Sequence, residues 1–275
     1  MIVAAAALSA PDGGTAPVLR KLPQVTALFW ALKTVAVTLG ETAGDLLGIS
    51  FGLGYATTAV AFAAFFLVVI VAQVRSSRFR PALYWAVVLA TSLVGTEISD
   101  FLNRGFGHGS AQHGIGYGWG ATLLTAVLGL VFLVWWRTGQ TYDVENIIGR
   151  TGEVLYWTAI LVSNTLGTST GDWLADETGL GFRGAFALIA LVLLLILAVH
   201  YLTSVNSVFL FWPAFVLTRP LGAAGGDALT KSAEQGGLGW GTAGGSVVLT
   251  ALLVLLIAYQ TRDVGRRTLS TAPLQ

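Results

Sequence analysis

Hydrophobic and polar positions along the chain alternate between long apolar runs and short polar or glycine-rich breaks, and eight of the runs approach the roughly 20 residues that a helix needs to cross a bilayer. The runs come in pairs. The first of each pair covers about Val25 to Gly44, Pro81 to Ser99, Glu153 to Gly171 and Val205 to Gly226. The second covers about Tyr55 to Val74, Trp119 to Trp136, Phe182 to Leu202 and Thr242 to Tyr259. The pattern predicts eight transmembrane helices in four hairpins.

A repeated phrase ties the hairpins together. An aromatic residue and a tryptophan are followed, ten residues after the tryptophan, by G-x-x-x-x-D. The copies are Phe29-Trp30 with Gly40 to Asp45, Tyr84-Trp85 with Gly95 to Asp100, Tyr156-Trp157 with Gly167 to Asp172, and Phe211-Trp212 with Gly222 to Asp227. A second phrase, Gly-(Leu or Ile)-Gly-aromatic, opens each second run, at Gly52, Gly114, Gly179 and Gly237. A fixed register of this kind is the signature of a tandem array. Because each copy is a hairpin that enters and leaves on one face, the four repeats lie parallel, unlike the inverted repeats of many transporters. The tryptophan spacings of 55, 72 and 55 residues point to successive duplications. The expected fold is an all-α membrane protein of eight transmembrane helices, with pseudo-two-fold or pseudo-four-fold symmetry about the membrane normal.

Composition agrees. Hydrophobic residues make up 55% and charged residues 11%, against roughly 25% charged in soluble domains. The formal net charge of +1 gives no basis for binding nucleic acid, and the absence of cysteine removes disulfides, thiolate ligands and thiol nucleophiles. Arg20, Lys21, Arg75, Arg78, Arg80, Arg137, Arg150, Arg262, Arg266 and Arg267 lie on the side of the termini and inter-repeat loops, and only Arg104, Arg183 and Lys231 on the other. The positive-inside rule then places both termini in the cytoplasm. Residues 1–20 read as a flexible tail, 21–261 as one transmembrane domain with repeats at about 21–75, 76–137, 148–203 and 204–261, and 262–275 as a cytoplasmic tail.

The repeated carboxylates Asp45, Asp100, Asp172 and Asp227 are the first candidates for chemistry, either as turn caps or as a ring of acceptors facing a polar cavity. Glu41, Glu97, Thr42, Thr96, Thr168 and Asn164 surround them. Close packing explains the glycines, but hydroxyls and carboxylates in this number exceed what packing needs. Hard oxygen ligands suit a hard or borderline divalent cation or a proton, with Asp45, Asp100, Asp172 and Glu41 as the metal ligands. Lys33 and Arg219 fall inside predicted spans, where an ionisable group is a functional candidate. Lys33 shares a helical face with Glu41 and Asp45, which points to a relay, a charge compensator or a static pair. Arg219 precedes Pro220, whose ring is expected to kink the helix. The tryptophans are read as packing or interfacial residues, His200 as interfacial, and His108 and His113 as part of an external loop. No phosphate-binding loop, zincin motif, nucleophile elbow or dinucleotide fingerprint occurs, so no cofactor is required and ATP-driven pumping by this chain is not expected.

The segment K-L-P-Q-V-T-A-L-F-W-A-L-K-T from Lys21 to Thr34, running into T-L-G-E-T from Thr38 to Thr42, resembles a family of bacterial membrane proteins described only as carrying four tandem repeats of unknown function. The resemblance covers about Lys21 to Thr261 and implies a bacterial inner-membrane protein. The residues themselves point to a secondary cation transporter, with manganese export in exchange for protons as the preferred form. The alternatives are a passive channel, or a membrane enzyme or sensory module using the loops. The expected partners are the lipid bilayer, a small ion and a second copy of the chain.

Overall fold

The structure, a computed structural model, describes residues 21–50, 55–105, 114–147 and 149–270. Eight long helices follow in chain order: α1 (Ala27–Asp45), α2 (Tyr55–Arg75), α3 (Pro81–Arg104), α4 (Tyr117–Arg137), α5 (Gly149–Asp172), α6 (Gly181–Leu202), α7 (Ser207–Thr230) and α8 (Gly241–Ser270). Local chemistry sets several of their ends. The Thr26 hydroxyl accepts the Phe29 N–H at the start of α1, Pro81 opens α3 where its missing N–H costs nothing, and Asn206 accepts the Val208 N–H at α7. Gly105, at φ 77°, closes α3 in a conformation that only glycine adopts freely. The first and fifth helices each run into a π-helical turn, Leu46–Ser50 and Trp173–Glu177. α7 continues as one helix through both Pro213 and Pro220. α8 extends to Ser270, beyond the expected end near Tyr259.

The odd-numbered helices form an inner ring in which α1 packs on α3, α3 on α5, α5 on α7 and α7 back on α1. The second helix of each repeat leaves its own partner and packs chiefly on the first helix of the next repeat: α2 on α3, α4 on α5, α6 on α7 and α8 on α1. Every repeat therefore clasps its neighbour and the array closes on itself. Six helices (all but α1 and α5) are long and apolar enough by themselves to cross a membrane. The two remaining helices are more polar because they turn Lys33, Glu41, Asn164 and Thr168 inward, where all four are buried. On the outer helices only 11–22% of the spanning window is buried, against 56–61% for α3 and α7. Leu67 and Val68, Leu191 and Leu194, and Val254 and Leu255 are exposed there, an apolar coat that suits lipid. The chain is a multi-pass membrane protein with its polar residues in the ring.

The repeated glycine is the contact point of that ring. A methyl group on Gly40 would sit 2.7 Å from Ser92 Cβ, on Gly95 3.0 Å from Thr165 N, on Gly167 2.9 Å from Pro220 Cδ, and on Gly222 2.6 Å from Val37 Cγ2. In each case the neighbour is the residue two or three positions before the next repeat's glycine. Close approach of backbones is the main source of helix association where the hydrophobic effect is absent. The aromatic-Trp pairs repeat the same cyclic order at one end of the ring. Phe29 meets Trp85 at 5.6 Å, Tyr84 meets Trp157 at 5.4 Å, Tyr156 meets Trp212 at 6.3 Å, and Phe211 meets Trp30 at 5.6 Å between ring centroids. The Tyr84 and Tyr156 hydroxyls, 2.5 Å apart, close the plug at its centre.

Replacing Gly167 by alanine is expected to destabilise the protein in detergent by about 1–3 kcal/mol, the usual range for an overpacked site. Gly44→Ala, where an added methyl meets nothing within 4 Å, is expected instead to stabilise by about 0.5–1 kcal/mol. Denaturation of the two variants beside the parent reads both signs, and equal behaviour would show that the ring is not set by close approach at Gly167.

Candidate functional site

Two long cationic side chains span the ring. Arg219 starts on α7, three residues before the repeat glycine, and its Nη2 reaches Thr96 Oγ1 at 2.5 Å on the opposite helix α3 and Glu41 Oε2 at 2.8 Å on α1. Lys33 starts on α1, and its Nζ donates to Asn164 Oδ1 at 3.1 Å on the opposite helix α5, lying 4.0 Å from the centroid of Phe215. Both side chains are fully buried. Asn164 is itself fixed, its amide donating to Thr91 Oγ1 at 2.9 Å. A guanidinium remains charged in any protein environment, so Arg219 is stable here only because Glu41 and Thr96 accept from it.

Beyond Arg219, toward the end of the ring away from the aromatic plug, the carboxylates gather. Glu41, Asp172 and Asp227 each place an oxygen within 4.8 Å of the other two, and all three are buried. They come from the first, third and fourth repeats. Asp45 and Asp227 share the ammonium of Lys231, at 3.3 and 3.4 Å. Lys231 lies just past α7; burial alone would lower its pKa, but the two aspartates outweigh that and hold it above the ordinary lysine value. Asp100 pairs with Arg104 at 3.7 Å, and Arg104 donates to the Tyr117 hydroxyl. Deeper polar links tie the helices together. Ser99 and Ser169 lie 2.8 Å apart with Asn103 Nδ2 within 3.1 Å of both, and Ser246 of α8 donates to Thr42 Oγ1 at 3.2 Å.

The sequence-predicted residues divide accordingly. Asp45 and Asp227 meet through Lys231, and Glu41 and Asp172 stand with Asp227, while Asp100 belongs to Arg104. The grouping therefore differs from the expected ligand set of Asp45, Asp100, Asp172 and Glu41. The turn-cap alternative does not describe Asp45, Asp100 or Asp227. Asp100 and Asp227 lie inside α3 and α7, and the partners of Asp45, Asp100 and Asp227 are cationic side chains. The expected Lys33-Glu41-Asp45 cluster does not form: Glu41 pairs with Arg219, which reaches it at shorter range from the neighbouring helix, and Lys33 ends on an amide. Thr96 joins the Arg219 site. Thr168 donates to the Asn164 carbonyl at 3.3 Å, and Glu97, half-buried, bonds Thr58 of α2 outside the ring. His108 and His113 lie outside the described residues, and His200 is exposed beside Tyr201. Sequence reading missed Lys231 and Arg104 as partners, although each stands four residues after a repeated aspartate, the spacing at which helical side chains meet.

The Arg219 and Glu41 pair gives a direct test. Arg219→Met leaves Glu41 without its buried counter-charge beside two further carboxylates and is expected to cost about 3–5 kcal/mol of stability, as breaking a buried pair does. Adding Glu41→Gln to that variant is expected to restore part of the loss. A denaturant series on parent, single and double variants measures the coupling, and simple additivity would mean that the two side chains do not depend on each other.

Neither a curated protein nor a solved structure matches the chain. A family model described as Repeat of Unknown Function (DUF347) matches it four times, over residues 28–79, 83–141, 155–206 and 210–264. Each match begins within one or two residues of an aromatic-Trp pair, so the family repeat is the structural repeat of the ring, and the chain belongs to that family.

Proposed function

We propose that the protein is a secondary transporter of a divalent cation such as manganese, taken as substrate between Glu41, Asp172 and Asp227 and moved in exchange for protons. The observation that carries this reading is the convergence of three buried carboxylates from three different repeats on one place. Oxygen-only donors favour magnesium, calcium or manganese over soft metals. Charge points the same way. Glu41, Asp45, Asp100, Asp172 and Asp227 stand with Arg104, Arg219 and Lys231, which leaves a formal excess of two negative charges at this end of the ring.

A standing channel fits less well, because the axis beyond Lys33 is filled by Phe29, Tyr84, Tyr156 and Phe211. With the plug closed, a cation at the carboxylates communicates with one side only. That is the arrangement of a carrier in one of its two states. Protons enter naturally, since carboxylates must be ionised to hold a metal and are free to protonate when it leaves. On this reading the protein sits in a bacterial inner membrane with the basic, aromatic-plugged side toward the cytoplasm.

Binding to the purified protein in detergent is the test. Titration with manganese, magnesium, calcium and zinc at pH 8 and pH 6 is expected to show one saturable cation site, weaker at the lower pH. Asp172→Asn and Asp227→Asn are each expected to weaken it by about tenfold or more, and Glu97→Gln to leave it close to the parent. Binding that ignores Asp172 and Asp227, or no binding by any of the four ions, would end the proposal.

A further inference from the structure

The plugged end of the ring is tied down by the segment that leads into α1. Residues 21–26 have no helical structure, yet Leu22 and Pro23 are buried, Leu22 within the main hydrophobic core. Polar contacts fix the segment near both of its ends. Lys21 Nζ donates to Glu153 Oε2 at 2.9 Å and to the Val74 carbonyl at 3.2 Å, and the Val25 N–H donates to Glu145 Oε1 at 2.8 Å. Val74 stands at the end of α2 and Glu153 near the start of α5, the helix opposite α1 in the ring, so this short stretch of chain connects facing members of the ring. Glu153 is 2% exposed and its second oxygen meets no donor among the described residues, so the Lys21 ammonium is the group that offsets its charge. The same position holds Thr26, Pro81 and Val208 in the other repeats. One turn further along α5 is Tyr156, whose hydroxyl closes the plug against Tyr84.

From this geometry we infer that residues 21–26 are a strap that holds the plugged end shut, with Lys21 on Glu153 as its latch, and that this end opens when the latch is released. Separating α1 from α5 at the plug draws Lys21 away from Glu153. A carboxylate left buried without its partner is costly, so the first part of that movement is opposed. Once the ends have parted, water reaches Glu153 and Lys21 alike. Each charge is therefore satisfied in both end states, paired when the plug is closed and hydrated when it is open, and the arrangement between them is the costly one. The lysine is the moving part, because its side chain is already 27% exposed while that of Glu153 is 3% exposed. Burial of Leu22 returns the strap to its place when the end closes. The inference stands apart from the cation reading, since it involves no metal and none of Glu41, Asp172 or Asp227.

The experiment is amide hydrogen exchange of the full chain in detergent, read by mass spectrometry with no divalent metal added, because exchange reports local opening region by region. Glu153→Gln keeps the shape of the side chain and removes the charge that Lys21 holds. It is expected to speed exchange at the plug, over residues 29–33, 84–88 and 156–160, by about tenfold, and to leave residues 167–172 at the carboxylate end at the parental rate. Lys21→Met is expected to act in the same direction, and Lys21→Arg, which keeps the charge and the reach, to exchange like the parent. Plug exchange at the parental rate in Glu153→Gln would overturn the inference. So would an equal acceleration at residues 167–172, which would make the pair a contributor to general stability and not a latch. Failure of the cation titration leaves this result untouched, so the two readings stand or fall separately.

Discussion

The close crossing at the repeated glycine is the constraint on which the structure depends. In lipid, apolar side chains gain nothing by leaving one apolar surrounding for another, so helices hold together through contact and polar links. Gly40, Gly95, Gly167 and Gly222 bring each inner helix against the next at the same height, and a methyl at any of them would strike the neighbour's side chain or backbone. That closeness brings the axis within reach of side chains from every repeat. Without it, Arg219 of α7 would not meet Thr96 of α3, nor Lys33 of α1 meet Asn164 of α5.

The outer helices complete the same logic. Because α2, α4, α6 and α8 each pack on the following repeat, no hairpin forms a unit on its own, and the closing contact of α8 on α1 joins the last repeat to the first. Trp85 shows how this reaches the plug: its indole N–H donates to Gln260 of α8 at 2.7 Å, across from its own hairpin. In the other half of the array, Gln73 of α2 stands two residues before Arg75 as Gln260 does before Arg262, and both Gln73 and Trp157 are buried. The aromatic pairs that look like membrane-interface residues in the sequence are thus interior. Trp85, Tyr84, Tyr156 and Phe29 are the ring's floor, held edge-to-face as aromatic quadrupoles prefer.

Much of this is legible in the sequence. The fourfold register of Trp, Gly and Asp gives the repeats, their parallel sense and the number of helices, because a period is a property of the sequence itself. Which side chains meet is not. Lys33, Glu41 and Asp45 share a face of α1, so reading one helix joins them, whereas the partner of Glu41 lies on another repeat and depends on how the ring closes. The same applies to the carboxylates. Four aspartates at one register read as four equal ligands, but Lys231 draws two of them together and Arg104 takes a third, and both cations belong to single repeats. Closure onto the next repeat rather than within the hairpin also has no local signal, since either packing buries the same apolar face.

Symmetry of the backbone and asymmetry of the polar residues follow from one electrostatic requirement. A residue that points to the axis of a four-helix ring is brought close to its three counterparts, so a charge present in all four copies would set four like charges in one buried place. The positions that reach the axis are the ones that diverge. Three residues before the glycine stand Val37, Ser92, Asn164 and Arg219; one residue after it stand Glu41, Thr96, Thr168 and Ala223; seven before it stand Lys33, Val88, Ile160 and Phe215. Each set holds one charged member, and that member meets a counter-charge, an amide, a hydroxyl or an aromatic face from another repeat. Of the charged residues in the repeated phrase, the aspartate alone is kept in all four copies. It lies at the end of the ring, where Asp45 and Asp100 are half-buried rather than enclosed and two cations stand within reach. Duplication supplied the frame, and the mutual repulsion of like side chains on its axis decided which residues could stay alike.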